Sequence, residues 1–223
     1  MAEPDFHVAI VPVTPIQQNC ALLWETATKR AVVVDPGGDV PEILRGIEQF
    51  GLTVEALWLT HGHLDHAGGA KALKAALSAK QGRDVPLLGP DERDRFLLEH
   101  IEDSARSFGI EGLENVIPDR WLAEGETLTL GPMRFDVLHC PGHTPGHVVF
   151  VEPTRRFAIV GDVLFRGSVG RTDFPYGDHA ALIGAIETKL LPLGDDIIFV
   201  CGHGEGSAFG IERQTNPFLH RGG

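Results

Sequence analysis

The sequence predicts an α/β protein in which two sheets pack face to face with helices on the outside. Two separate runs of short, strand-like segments are each followed by helical segments, the alternation that layered α/β architectures produce. An apolar strand ends in aspartate in both halves, VVVD at Asp35 and AIVGD at Asp162, which hints at a duplicated unit. No Pro/Gly/Ser-rich linker interrupts the 223 residues, so one domain spanning 1–223 is expected.

The elements follow in order. FHVAIVPV, NCALLWE and RAVVVD read as strands, closed by the turn DPGG. Asp39 followed by Pro41 reads as an N-cap with proline in the first turn of a helix ending near Phe50. VEALWLT is the next strand and runs straight into HGHLDHAGG. Beyond His66, apolar Ala70, Leu73 and Leu77 recur at helical spacing. VPLLG reads as a strand, and residues 90 to 108 as a mostly helical insert. The chain then returns to strands with ETLTL, MRFDVLHC, HVVFVEP and RFAIVGDVLF. A helix over 178–190 and a last strand, IIFVC, complete the pattern.

Composition narrows the function. A formal charge of −12 argues against nucleic acid or an anionic membrane as the main partner and is compatible with bound cations. The N-terminal MAEPDFHVAI has no basic n-region, and the apolar runs are strand-sized. Neither export nor membrane insertion is expected, and a cytoplasmic location is. Cys20, Cys140 and Cys201 are widely spaced and odd in number, which suits a reducing compartment rather than a disulfide framework.

The chemistry concentrates in His61, Gly62, His63, Leu64, Asp65 and His66. In extended chain, residues two apart point to the same side, so His61 and His63 can reach one cation. Asp65 and His66 follow where the backbone turns into a helix, and their side chains can diverge to a second. Gly62, Gly68 and Gly69 remove bulk where the backbone must crowd. The plain alternative is a polar loop capping a helix. Against it, LHCPGHTPGH, VGDVLF and VCGHGEG each place a His or Asp just past an apolar strand, and strand ends at one sheet edge are where α/β folds gather their sites. His61, His63 and His143 can form one three-nitrogen site, Asp65, His66 and His203 a second, and Asp162 can bridge them. Mixed nitrogen and oxygen ligands suit zinc, with iron and manganese also compatible.

THGHLDH, with the later His143, Asp162 and His203, resembles the signature of the metallo-β-lactamase superfamily. Within it the chain is similar to the glyoxalase II-like hydrolases, over nearly its whole length. The resemblance implies a four-layer αββα sandwich, the metallo-β-lactamase fold. It implies that His61, His63 and His143 hold one divalent metal, that Asp65, His66 and His203 hold the other, and that Asp162 bridges. It further implies hydrolysis of S-lactoylglutathione or a related, glutathione-derived acyl-thioester by a hydroxide shared between the two cations, which Asp65 also orients. Asp35 resembles a family aspartate lying behind the histidine loop, with turn capping as its alternative.

In FRGSVGRTDFPYGD, Arg171 stands where glyoxalase II proteins place a basic residue that contacts glutathione. The alternative is a loop arginine paired with Asp173 or Asp178. Two departures bear on specificity. Asp173 replaces an aromatic residue, and only 20 residues follow His203, too few for the helical C-terminal domain that completes the glutathione pocket in those proteins. His147 reads as a buried structural histidine, and His7, His100, His179 and His220 as surface positions. Cys140 and Cys201 read as small buried residues rather than ligands.

Three rival functions are open. GRTDF also resembles persulfide dioxygenases of the same superfamily, which use a single iron and oxygen. GHGEGSAFGIERQTNPF around His203 is more similar to the hydrolase branch. β-Lactamases generally lack the aspartate found here at 162 and are exported. A noncatalytic zinc module would be closed and cysteine-rich.

Overall fold

The computed structural model of the chain describes residues 5–219. In its first half, β1 (Phe6–Val13), β2 (Gln18–Glu25), β3 (Arg30–Val34), β4 (Thr53–Trp58) and β5 (Leu87–Leu88) form one sheet in that order. Helices α1 (Val40–Phe50), α2 (Leu64–Ala67) and α3 (Ala70–Gln81) lie between its strands in sequence. The insert contributes α4 (Arg95–Leu98) and α5 (Ile101–Phe108).

The second half supplies β6 (Thr127–Leu130), β7 (Met133–His139), β8 (Val148–Glu152), β9 (Phe157–Ile159) and a small hairpin, β10 (Leu164–Phe165) with β11 (Ser168–Val169). These are followed by α6 (His179–Ala185), β12 (Ile198–Val200), β13 (Ser207–Ala208) and α7 (Phe209–Thr215). The second sheet runs β13-β12-β9-β8-β7-β6.

Strand alternation builds the layers. In β3, Ala31 and Val33 pack toward Ile43 and Ile47 of α1 and Leu73 and Leu77 of α3. Val32 and Val34 point the other way, into the space between the sheets. There Trp58 meets Phe135 at 5.2 Å and Phe150 at 5.3 Å between ring centroids. In β8, Val148 and Phe150 face this inner layer, while Val149 and Val151 pack with Leu182, Ile186 and Phe199 on the far side. The result is the expected αββα sandwich. Both faces of each central strand are buried, which is why RAVVV and VVFV read as continuous apolar runs.

The two halves share a plan. In β1-β2-β3-β4 two antiparallel pairings precede a parallel one, with α1 spanning the parallel step. β7-β8-β9-β12 repeats this, with α6 at the same place. The paired strand–aspartate endings thus have a topological counterpart.

Four expectations change. RFAIVGDVLF is not one strand: β9 stops at Ile159, Gly161 turns the chain at φ +50°, and β10 pairs with β11 instead of continuing the sheet. IIFVC is not the last strand, since β13 and α7 follow it. Asp39 occupies the N-cap position of α1 but does not cap it. At φ 44° its carboxylate turns away and accepts the Thr14 N–H at 2.7 Å. His7 is half-buried against Trp24, while His100 and His179 are exposed and His220 lies outside the described residues. Among the described residues, no helix is long and apolar enough to cross a membrane.

Candidate metal centre

Each residue of the candidate site follows the end of a strand at one edge of the sandwich. The loop after β4 carries His61 and His63 into α2, which holds Asp65 and His66. The second half brings His143 after β7, Asp162 after β9 and His203 after β12. The Val148 N–H donates to the Thr60 carbonyl at 2.8 Å, tying the two edges together. Close approach fixes two glycines here. A Cβ on Gly37 would meet the Asp65 carbonyl at 1.4 Å, and one on Gly202 the Asp162 carboxylate at 2.0 Å.

The expected ligands come together. The inner nitrogens of the first group are His61 Nε2, His63 Nδ1 and His143 Nε2, with separations of 3.1 Å and 3.0 Å on either side of His63. In the second group, His203 Nε2 lies 3.2 Å and His66 Nε2 3.9 Å from an Asp65 oxygen. Asp162 stands between the groups, 3.4 Å from His66 Nε2, 3.5 Å from His143 Nε2 and 3.6 Å from His203 Nε2.

Protons are held on the outer face of three rings. His61 Nδ1 donates to the Thr60 hydroxyl at 3.0 Å, because that hydroxyl itself donates to Asp35 at 2.6 Å. His66 Nδ1 donates to Asp35 at 2.8 Å, and His143 Nδ1 to the Arg171 carbonyl at 2.8 Å. With the outer nitrogens protonated, the inner Nε2 atoms are left as lone pairs. His66 Nε2 and Asp162 Oδ1 are buried without a hydrogen-bond partner. Facing lone pairs repel unless a proton or a cation lies between them. The nitrogen spacing is close to the edge of about 3.3 Å that a tetrahedral ion with bonds of about 2.0–2.1 Å requires. The donor set fits divalent metal.

Electrostatics agree. Burial, reinforced by the neighbouring rings, holds His61 well below the usual histidine range and pushes His63 down to about 3, so both are neutral, the form that can bind a cation. Burial also lowers His143. Burial opposes charge on His66, but Asp162, Asp65 and Asp35 outweigh it and raise its pKa; a cation bound there takes the place of that proton. Burial alone would raise Asp162, yet His66, His143 and His203 hold it well below the carboxylate range.

Asp35 meets Thr60 N–H at 2.7 Å through its other oxygen, so both oxygens are engaged and it orients His66 rather than offering a free donor. Asp35→Asn should weaken metal binding at the His66 group about 10–100-fold. Competition titration with a chromogenic chelator measures this, and unchanged affinity would count against the orienting role.

Several contributors were not legible in the motif. Asp94, buried in the insert, accepts from Gly62 N–H at 2.9 Å, Thr144 Oγ1 at 2.7 Å and Gly146 N–H at 2.6 Å, bolting the His61–His63 loop to the His143 loop. Tyr176 OH lies 2.9 Å from His63 Nε2. Asn19 Nδ2 holds the carbonyls of Cys201 and Gly204 on either side of His203, at 3.0 Å and 2.8 Å. His147 is fully buried, stacks on His61 at 4.6 Å and accepts the Asp162 N–H at 3.0 Å. Cys140 and Cys201 are buried, and neither joins a ligand cluster among the described residues. Gly62, Gly68 and Gly69 crowd Asp94 and Leu97, Leu64 and Leu113, and Pro36 and Gly38 respectively, rather than the ligands. Arg171 is exposed, and its guanidinium pairs with Asp173 at 2.7 Å and 2.8 Å.

A cavity of about 700 Å3 opens onto His63, Asp65, His143, Asp162 and His203. The sequence pattern of the Metallo-beta-lactamase superfamily matches residues 13–203. The chain is 47% identical over 215 residues to the hydroxyacylglutathione hydrolase GloC of Haemophilus influenzae, covering 96% of this chain and 98% of that one. It is also similar to the structure of the BLEG-1 B3 metallo-beta-lactamase, with TM-score 0.85, 35% identity, and coverage of 96% of this chain and 99% of that one. TTHA1623, solved in a di-iron-bound form, gives TM-score 0.84 and 37% identity, with coverage of 95% and 100%.

Proposed function

The chain belongs to the metallo-beta-lactamase superfamily and is a hydrolase, and from that premise we propose that it cleaves S-lactoylglutathione or a related acyl-thioester at a binuclear metal centre. The observation that carries this is the pair of His/Asp clusters sharing Asp162 and opening onto the cavity. The glutathione-derived substrate is drawn from the name of the Haemophilus influenzae relative.

In this reading His61, His63 and His143 hold one divalent cation, Asp65, His66 and His203 the other, and Asp162 both. Zinc suits this donor set, and the di-iron relative makes iron an equal candidate. Bound there, the two cations supply a water acidified toward neutral pH and a Lewis acid for the thioester oxygen. The chain's own part is positioning and proton handling. Asp65 lines the cavity and orients the attacking water through its carboxylate. Asp35 and the Arg171 carbonyl keep His66 and His143 in the tautomers that leave Nε2 free. Phe174, 5.0 Å from the His63 ring and stacked on Tyr176 at 5.2 Å, screens that side of the centre from bulk water. Arg171, on the cavity wall, steadies an anionic group of the substrate in exchange for Asp173.

Elemental analysis paired with a thioester assay tests the proposal. About two metal equivalents after titration are expected, with S-lactoylglutathione cleaved at equal rates in air and under argon. One tightly held iron that takes no second metal, with oxygen consumed on glutathione persulfide and no thioester cleavage, would overturn it in favour of the mononuclear-iron dioxygenase.

A further inference from the structure

Building on the thioesterase reading, we infer that the acyl half of the substrate is an extended apolar group, a medium-length alkyl or arylalkyl chain, rather than a short hydroxyacyl group. Away from the candidate ligands, the cavity of about 700 Å3 is walled mainly by apolar groups. Leu97 of α4 and Ile101 and Phe108 of α5 line it, with Ile16 from the β1–β2 turn and Phe165 and Val169 from the β10–β11 hairpin. Phe108 is 70% exposed and Ile16 44%, so the wall continues to the mouth as uncovered hydrophobic surface. An apolar chain running outward from the centre would cover these groups and gain their burial.

Polar recognition is sparse along the same wall. Arg171 is the only lysine or arginine among the described residues that line the cavity. It is held at both ends of its fork by Asp173 and lies 4.4 Å from the Phe174 ring centroid. Among the described residues of the lining, Ser104 and Ser168 are the only hydroxyls besides Tyr176. The carboxylates of a glutathione moiety therefore meet one already paired cation, and discrimination falls to the apolar contacts of the acyl half. The reaction itself is unchanged: water adds to the carbonyl carbon, the C–S bond breaks with its electron pair going to sulfur, and carboxylate, thiol and a proton are released.

The test is a series of S-acylglutathiones with one thiol and varied acyl groups: acetyl, lactoyl, butyryl, hexanoyl and octanoyl. With metal-loaded protein, kcat/KM should rise about two- to fourfold per added methylene and favour hexanoyl over lactoyl by at least about tenfold. Phe108→Ser, at an exposed position where folding is not at stake, and Leu97→Ser should each flatten that gradient severalfold. A readout without turnover is calorimetric binding of two thioethers, with S-hexylglutathione bound at least about tenfold more tightly than S-methylglutathione. Cleavage with a flat profile, or with lactoyl foremost, overturns this inference and leaves the hydrolase standing, as does equal binding of the two thioethers. If no thioester is cleaved at all, the hydrolase reading falls and takes this inference with it.

Discussion

Asp162→Ala is expected to lower thioester hydrolysis by about three orders of magnitude or more, the largest effect of any single substitution in the chain. Asp162 faces both groups, within 3.4–3.6 Å of His66, His143 and His203. Without it, a cation held by the three neutral histidines would have no carboxylate beside it, and nothing would set its distance from a second one. Metal content should fall together with activity, while circular dichroism remains that of the wild type. Arg171→Ala is the contrast. A remote anion contact stabilises ground and transition states alike, so KM should rise while kcat holds. A variant lacking Asp162 that kept two metals and full kcat would rule out the bridging role.

Asp94→Ala comes next, and it acts through structure. The alanine strands three donors, Gly62 N–H, Thr144 Oγ1 and Gly146 N–H, in a site where Asp94 is fully buried. At about 1 kcal/mol or more for each unmet buried donor, the loss should be about 3 kcal/mol. For a chain of this length that lowers the thermal midpoint by about 6–12 °C. Metal affinity should fall as well, because both histidine loops lose their common anchor. Burial pushes the Asp94 carboxyl up to about 6, against three hydrogen bonds that pull the other way. A carboxyl raised above its unfolded value near 3.9 contributes most below that value, and the contribution is lost as pH climbs through 6. Asp94→Asn cannot ionise, so its penalty relative to wild type should shrink by about 1 kcal/mol between pH 5 and pH 7.5. Denaturation curves of chelator-treated protein at the two pH values measure this. A penalty that does not change between the two pH values would mean that Asp94 is ionised throughout.

The sandwich was legible because its strands are buried on both faces and so read as unbroken apolar runs. The clustered residues were legible because histidines and aspartates are rare directly after such runs, and here they recur after β4, β7, β9 and β12. What stayed hidden has different causes. Asp94 sits in DERDRF, where alternating charge reads as a solvated helix, and only the tertiary fold turns one of these carboxylates inward. The break of RFAIVGDVLF depends on a single glycine conformation in an otherwise strand-like run. Asp39 satisfies every local cue for an N-cap, but a long-range bond to Thr14 takes its side chain elsewhere. The anchoring of His203 by Asn19 joins positions far apart in the chain, which no local pattern encodes.

The repeated strand plan has a mechanical consequence. Each half of the chain buries its own helix-facing core, and the two meet through the layer between the sheets. Each cluster draws its residues from both halves: His61 and His63 with His143, Asp65 and His66 with His203. A cation in either cluster would therefore rivet one half to the other at the open edge of the sandwich. It would close a long loop of chain much as a covalent cross-link does, and the unfolded chain, with its ligands dispersed, could not hold it. Affinity for the ion and resistance of the two sheets to shear would then be one quantity measured in two ways, and a chelator would loosen the molecule as well as silence it.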